Sequence, residues 1–320
     1  MTTTNSNLKG IGFLILAMLI ISVQSIAVKG LGGSYPVLEM VILRNLVALP
    51  FTLLFFWREG HRGLPKTKQI KLEFTRGMFL FLSYTTFMMG LAALPLAEVE
   101  SIRFSGPLMI TILSVYTLGE KVELRRWLAL IVGFIGVLLI VRPGSATFNL
   151  GSIFILISVL FYALTVISTR KLQTSDSSAT MAFYSSLVYL AAALSLAPIT
   201  LAVGEIPGAH PSIAFLFRDW AMPALLDGLI MCGLGLVWAG WTYFMARAYS
   251  LAQASVAAPF EYLSLPINVF WGFLIWQEIP TWMTWAGSAL TLLSGLFILY
   301  LDRKARQIST ESVLNPVEPE

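Results

Sequence analysis

The sequence is poor in the residues that carry most enzyme chemistry. Among 320 residues there are one cysteine (Cys232) and two histidines (His61 and His210). One cysteine excludes a disulfide framework, and so few soft ligands give no reason to expect a metal or another cofactor. Charge is equally scarce. Asp, Glu, Lys and Arg make up 12% of the chain, against roughly 25% in a soluble domain, which leaves too little polar surface to face water. The patterns HExxH, GxSxG and GxxxxGKS do not occur, and no aspartate pair lies within an apolar run. Their lack argues against an intramembrane enzyme and against ATP-driven work by this chain alone. No A-x-A site closely follows the first apolar run, so that run is not read as a cleavable signal.

What the chain has in quantity is hydrophobicity, with 57% apolar residues and a mean hydropathy of +0.79. A spanning helix needs about 20 mostly apolar residues. Such runs are predicted near 10–29, 37–57, 77–95, 98–118, 125–142, 151–170, 180–203, 222–246, 254–276 and 282–301. The expected fold class is therefore an all-α integral membrane protein with ten transmembrane helices. With both termini cytoplasmic, 16 of the 21 Lys and Arg residues fall on the inner side. Lys29, Arg142 and Arg218 fall outside, and Arg44 and Arg103 lie within spans. The positive-inside rule favours this orientation, in the cell (inner) membrane, with lipid and a small-molecule substrate as partners. The net charge of +4 sits in short loops, so no nucleic-acid partner is expected; the chain is read as a monomer or homodimer.

The spans repeat. Superposing Glu120 on Glu278 pairs Trp127 with Trp285 and sets Arg103 opposite Glu261. LILAMLIISVQSIAVKGL (14–31) echoes FILISVLFYALTVISTRKL (154–172), and LGEKVELRRWLALIVGFIGVLLIV echoes IWQEIPTWMTWAGSALTLLSGLFIL. Two five-helix units are predicted, 10–142 and 151–301, and an odd number of crossings inverts the second relative to the first. The stretch 302–320 has the composition of a disordered cytoplasmic tail.

Ionisable groups at membrane depth are costly and mark internal pathways. Arg103 either binds a substrate carboxylate or phosphate through its planar fork or pairs with Glu100, three residues earlier. Glu261 is the one charge between Gln253 and Gln277. It is a candidate for substrate contact and proton coupling, or for a structural pair with Arg103 or Arg44. Pro107 and Pro266 deprive the carbonyls of Arg103 and Tyr262 of their intrahelical partners, which predicts helix breaks beside both charges, with packing kinks as the alternative. Arg44 is expected to find a cross-helix partner in a structural or gating role. Lys29 either closes an outer gate or snorkels to the interface. Trp238, Trp241, Tyr84, Tyr262 and the amide of Gln24 are further substrate-binding candidates, because flat rings with a polar handle suit small metabolites. Gly133, Gly136, Gly287 and Gly295 suit close packing of the fifth and tenth helices.

The segment ALPLAEVESIRFSGPLMITILSVYTLGEKVELRRWLALIVGFIGVLLIVRPG (93–144), with a degenerate copy at 251–301, resembles the drug/metabolite transporter superfamily in its ten-helix EamA-type branch. The resemblance implies two inverted five-helix bundles around a central path, lined by the third and fourth helices of each half. It also implies a secondary transporter moving a small polar metabolite, such as an amino acid, a related compound or a vitamin, by alternating access with proton coupling. The second copy departs from the pattern, with IWQE in place of LGEK. A nucleotide-sugar-type carrier and a non-transporting membrane scaffold are the alternatives.

Overall fold

The computed structural model describes residues 3–31, 35–94, 99, 102–103, 105–141, 150–218, 220–277 and 282–314. Some helical side chains, those of Lys29 and 302–314 among them, lie outside the description. Among the described residues the regular structure is helical, without strands. The main helices are α1 (Thr3–Leu31), α2 (Val37–Arg58), α3 (Ile70–Leu91), α4 (Gly106–Leu118) and α5 (Leu124–Val141). They are followed by α6 (Leu150–Leu172), α7 (Ser178–Val203), α8 (Leu225–Leu251), α9 (Ser264–Trp276) and α10 (Trp282–Leu314). Among the described residues, α1, α2, α6, α7 and α8 contain 5 segments long and apolar enough to cross a membrane.

The bundle is apolar outside. Leu46, Leu160, Leu194, Leu229 and Phe270 are exposed, whereas Thr52, Ser114, Ser158, Ser185 and Thr242 are buried. This polarity suits a hydrocarbon surround, where polar groups must be satisfied within the protein. The buried hydroxyls donate to carbonyls of their own helix, as Thr242 does to Trp238 O (2.9 Å) and Ser185 to Met181 O (2.8 Å). Between helices, Ser83 and Ser158 exchange bonds reciprocally, each hydroxyl reaching the other's carbonyl at 3.0 and 2.6 Å, and so pin α3 to α6.

The helices pack in matched pairs. α1 lies on α8 as α6 lies on α3; α2 lies on α8 as α7 lies on α3; α9 touches α1 as α4 touches α6. α2 with α7, and α5 with α10, complete the set. Exchanging each of the first five helices with the one five places later maps these pairs onto one another. Small residues permit the approach. A Cβ on Gly235 of α8 would stand 2.6 Å from the Arg44 carbonyl oxygen, so α2 and α8 meet backbone to backbone beside Arg44.

Two segments depart from the sequence expectation. The stretch 254–276 is not one helix. It runs as a single turn Ala254–Ala257, a 3-10 segment Ala258–Leu263 and then α9. Pro259 and Pro266 remove two amide donors from this stretch, and the chain tightens to 3-10 spacing where the α-ladder fails. Similarly, Pro107 stands in the first turn of α4, where a missing N–H leaves no bond unmade. Both prolines thus start helices rather than interrupt them. At the other end α10 continues through Leu314. Asp302 to Leu314 is helical, carried by good helix formers such as Arg, Lys, Ala and Gln, and 315–320 lie outside the described residues.

Candidate functional site

Glu261 sits on the 3-10 segment and is held by two phenols. Tyr162 of α6 donates to Glu261 Oε1 at 2.8 Å, and Tyr249, near the end of α8, donates to the same oxygen. Tyr249 is buried, and the Arg103 charge acts electrostatically on this carboxylate and on Tyr162. α5 and α10 brace the segment from behind. A Cβ on Gly133 would stand 2.9 Å from the Tyr262 ring, and one on Gly295 would stand 3.5 Å from Phe260. Glycine at 133 lets α5 close on a segment that lacks a full hydrogen-bond ladder, whereas at 295 a methyl group would make an ordinary contact.

Arg44 of α2 occupies a different environment. It is 3% exposed, about 10 Å along the axis from the start of its helix. Its Cζ lies 3.8 Å from the ring centroid of Trp238, 4.7 Å from that of Tyr84 and 5.3 Å from that of Tyr189. Trp241 stacks on Trp238 with centroids 4.9 Å apart. Cation–π attraction accounts for the ring faces, but the edge of the guanidinium is unmatched: Nε and Nη2 are buried without a hydrogen-bond partner. The indole Nε1 atoms of Trp238 and Trp241 are likewise unpartnered.

α8 connects the two clusters. Its buried stripe runs through Met231, Leu234, Gly235, Trp238, Ala239, Thr242, Met245, Ala246 and Tyr249, the i, i+3, i+4 pattern of one helix face. Trp238 and Tyr249 are therefore some 16 Å apart along a single rod. A cavity of ≈ 20 Å³ between α3, α6 and α8, lined by Arg76, Thr165, Thr169, Trp241, Thr242 and Tyr249, separates the clusters. That is room for about one water. A larger groove of ≈ 610 Å³, bounded by His61, Lys66, Asp176 and Thr180, lies on surface loops away from both.

The ends of the bundle are tied differently. On the face where α1 begins, Gly119 (φ +66°) ends α4 and turns Glu120 inward. The Glu120 carboxylate then accepts from the amides of Ala254 and Ser255, both at 2.9 Å, and lies 3.8 Å from Arg170 Nε. Arg170 Nη1 reaches the carbonyl of Tyr249 at 3.3 Å, so this face is linked to Glu261 through one residue. On the opposite face Tyr35 donates to Asp227 Oδ2 at 2.7 Å. The carboxylate it donates to holds the Tyr35 phenol above its ordinary value, so this latch keeps its proton through the physiological range.

The sequence profile of the EamA-like transporter family matches residues 8–142 and again 149–300. This chain belongs to the EamA-like transporter family. Among curated EamA-type relatives, the S-adenosylmethionine uptake transporter of Rickettsia bellii (strain RML369-C) is 28% identical over 300 residues, covering 92% of this chain and 95% of the relative. The riboflavin transporter of Vibrio cholerae serotype O1 is 28% identical over 271 residues, 84% of this chain and 85% of its own. The pseudopaline exporter of Pseudomonas aeruginosa (strain PAO1) is 26% identical over 289 residues, 89% and 94%. One crystal structure shares the fold with a TM-score of 0.74 at 14% identity, covering 92% of this chain and 99% of that one. Membership bears out the resemblance read from 93–144.

Within this EamA-type fold the predicted residues divide. Tyr84, Trp238 and Trp241 gather around Arg44, which has no carboxylate partner among the described residues. The expected cross-helix partner of Arg44 is a set of rings, because three aromatic helices converge where α2 meets α8. Glu261 pairs with phenols and stands in the other cluster from Arg44. Arg103 is exposed, with its Cζ 5.3 Å from the Phe87 ring centroid. Tyr262 is buried against α5, and Gln24 is buried in α1 with Oε1 unpartnered. Glu100 and the Lys29 side chain lie outside the described residues. Sequence reasoning missed Tyr189 and Tyr249. Tyr184, also on α7, donates to Pro65 O (3.1 Å) in a surface loop. Five residues on a helix turn Tyr189 to another side.

Proposed function

We propose that this chain is a secondary carrier for a small polar metabolite, with ten membrane spans arranged as two inverted five-helix repeats, 10–142 and 151–301. The exchange pattern of helix packing supports the repeat, as do the paired profile matches. The face bearing Glu120, Arg170 and the basic loops is assigned to the cytoplasm of the cell (inner) membrane, as the positive-inside rule favours.

The observation that carries the mechanism is Glu261 on a 3-10 segment, bonded by phenols from two other helices. A carboxylate in an apolar bundle is stable either protonated or well bonded. Protonation converts Glu261 into a donor and removes its attraction for Arg103, and the loosened segment lets the carboxyl follow. Proton exchange at Glu261 is therefore the coupling step of an alternating-access cycle. On the cytoplasmic side Glu120 and Arg170 fasten the start of this segment. By the sequence repeat Lys29 is the counterpart of Arg170, and we assign it to the opposite gate.

The substrate belongs with those of the relatives, which are named for S-adenosylmethionine, riboflavin and pseudopaline. Those names include uptake and export, so direction is not carried over. Purified protein in liposomes, tested with a metabolite panel that includes these compounds, is expected to give saturable flux that an imposed pH gradient drives. Saturable flux indifferent to the gradient would remove the coupling assignment, and no flux with any member would remove the carrier reading.

A further inference from the structure

Arg44 carries a full charge inside the bundle, yet its fork is unused. Nε and Nη2 form the side-on pair of parallel N–H donors by which a guanidinium grips a carboxylate. Both are buried without an acceptor, as are the indole donors of Trp238 and Trp241 beside them. The site thus holds four unpartnered donor atoms, and the polar oxygens set against Arg44 are the neutral phenols of Tyr84 and Tyr189 rather than an anion. Leaving even one buried donor unmade is unfavourable, and an unpaired buried charge more so. What fits such a site is an acceptor-only group, and an ionised carboxylate is one.

We propose that Arg44 is the substrate-anchoring residue of this carrier, taking a carboxylate on its Nε–Nη2 edge, with Tyr84, Tyr189, Trp238 and Trp241 receiving the flat or apolar remainder. The proposal rests on the carrier reading and names its substrate class: a monocarboxylate or zwitterion with a ring or extended apolar body. One guanidinium balances one negative charge, so a phosphate dianion would remain half uncompensated at this depth. Contact between the Arg44 backbone and Gly235 fixes the position of the fork, and Tyr84 and Trp241 beside it are only part-buried.

The test is binding to the detergent-solubilised full chain with no gradient, so that failure of transport and failure of this site are separate results. The probes are L-tryptophan and S-adenosylmethionine, each set against its decarboxylated amine, and the readouts are ligand-induced shift in Tm and titrated affinity. At least one acid is expected to bind at least about tenfold tighter than its amine, and Arg44→Gln is expected to erase that preference. The ligand-free Tm of Arg44→Gln should equal or exceed that of the wild type, because an unpaired buried charge has been removed. Acids and amines bound alike, no acid bound, a preference that survives Arg44→Gln, or a ligand-free Tm several degrees lower would each overturn the assignment. If Arg44→Gln does not accumulate, Arg44→Lys decides. Lysine keeps the charge without the fork, so the acid should bind measurably weaker, and unchanged affinity would overturn the proposal.

Discussion

Two buried charges in one bundle are treated in opposite ways. Glu261 receives hydrogen bonds from Tyr162 and Tyr249, both on Oε1, so its partners are side chains of the protein. Arg44 receives ring faces from Tyr84, Tyr189 and Trp238, while two of its nitrogens have no acceptor. A satisfied ionisable group on a loosened segment is suited to an internal switch, since changing its proton rearranges bonds already present. An unsatisfied one is suited to an external partner that arrives and leaves. The single helix α8 touches both, through Tyr249 and Trp238, and so joins the two charges by one rigid element.

That contrast can be broken in graded ways. The largest effect is expected from Glu261→Gln, which keeps an oxygen for the two phenols but removes the titratable proton. Accumulation driven by a pH gradient should vanish, with Tm and binding near wild type, as liposome flux and thermal unfolding would read. Next is Arg44→Gln, which should weaken binding of a carboxylate substrate by at least about tenfold, with no loss of stability, as titration and thermal unfolding would read. Gly235→Val then tests the frame rather than either charge. Its side chain would collide with the Arg44 carbonyl and Val47, at an expected loss of about 3 kcal/mol, measured by denaturant unfolding in detergent. Tyr249→Phe removes one bond to Glu261 and should lower stability by about 1.5 kcal/mol, by the same measurement. Tyr35→Phe, which cuts the latch to Asp227, should give the smallest change, a slight fall in Tm.

Much of the fold was legible because membrane physics writes it into composition. Length of apolar run, basic loops and the echo between halves predicted helices that the structure contains. Glu261 was legible for the same reason, as a lone charge in an apolar run. Its partners were not. Tyr249 lies twelve residues before Glu261, across the break at Ala252 and Gln253, and nothing in a linear pattern says that the chain folds back to bring them together. The aromatic setting of Arg44 was half visible. Trp238 and Trp241 announce a face by their spacing, whereas Tyr189 depends on the rotation of α7, which packing decides. Pro107 and Pro266 were read as marking helix breaks beside Arg103 and Glu261, and each stands in the first turn of a helix that begins just after the charge.

The most direct test of the division of labour is to compare substrate exchange with pH-driven accumulation in liposomes that hold Glu261→Gln. With substrate on both sides no net proton movement is needed. The account predicts that labelled substrate still exchanges at close to the wild-type rate, while an imposed pH gradient no longer concentrates it. Accumulation that still follows the pH gradient in Glu261→Gln would contradict it.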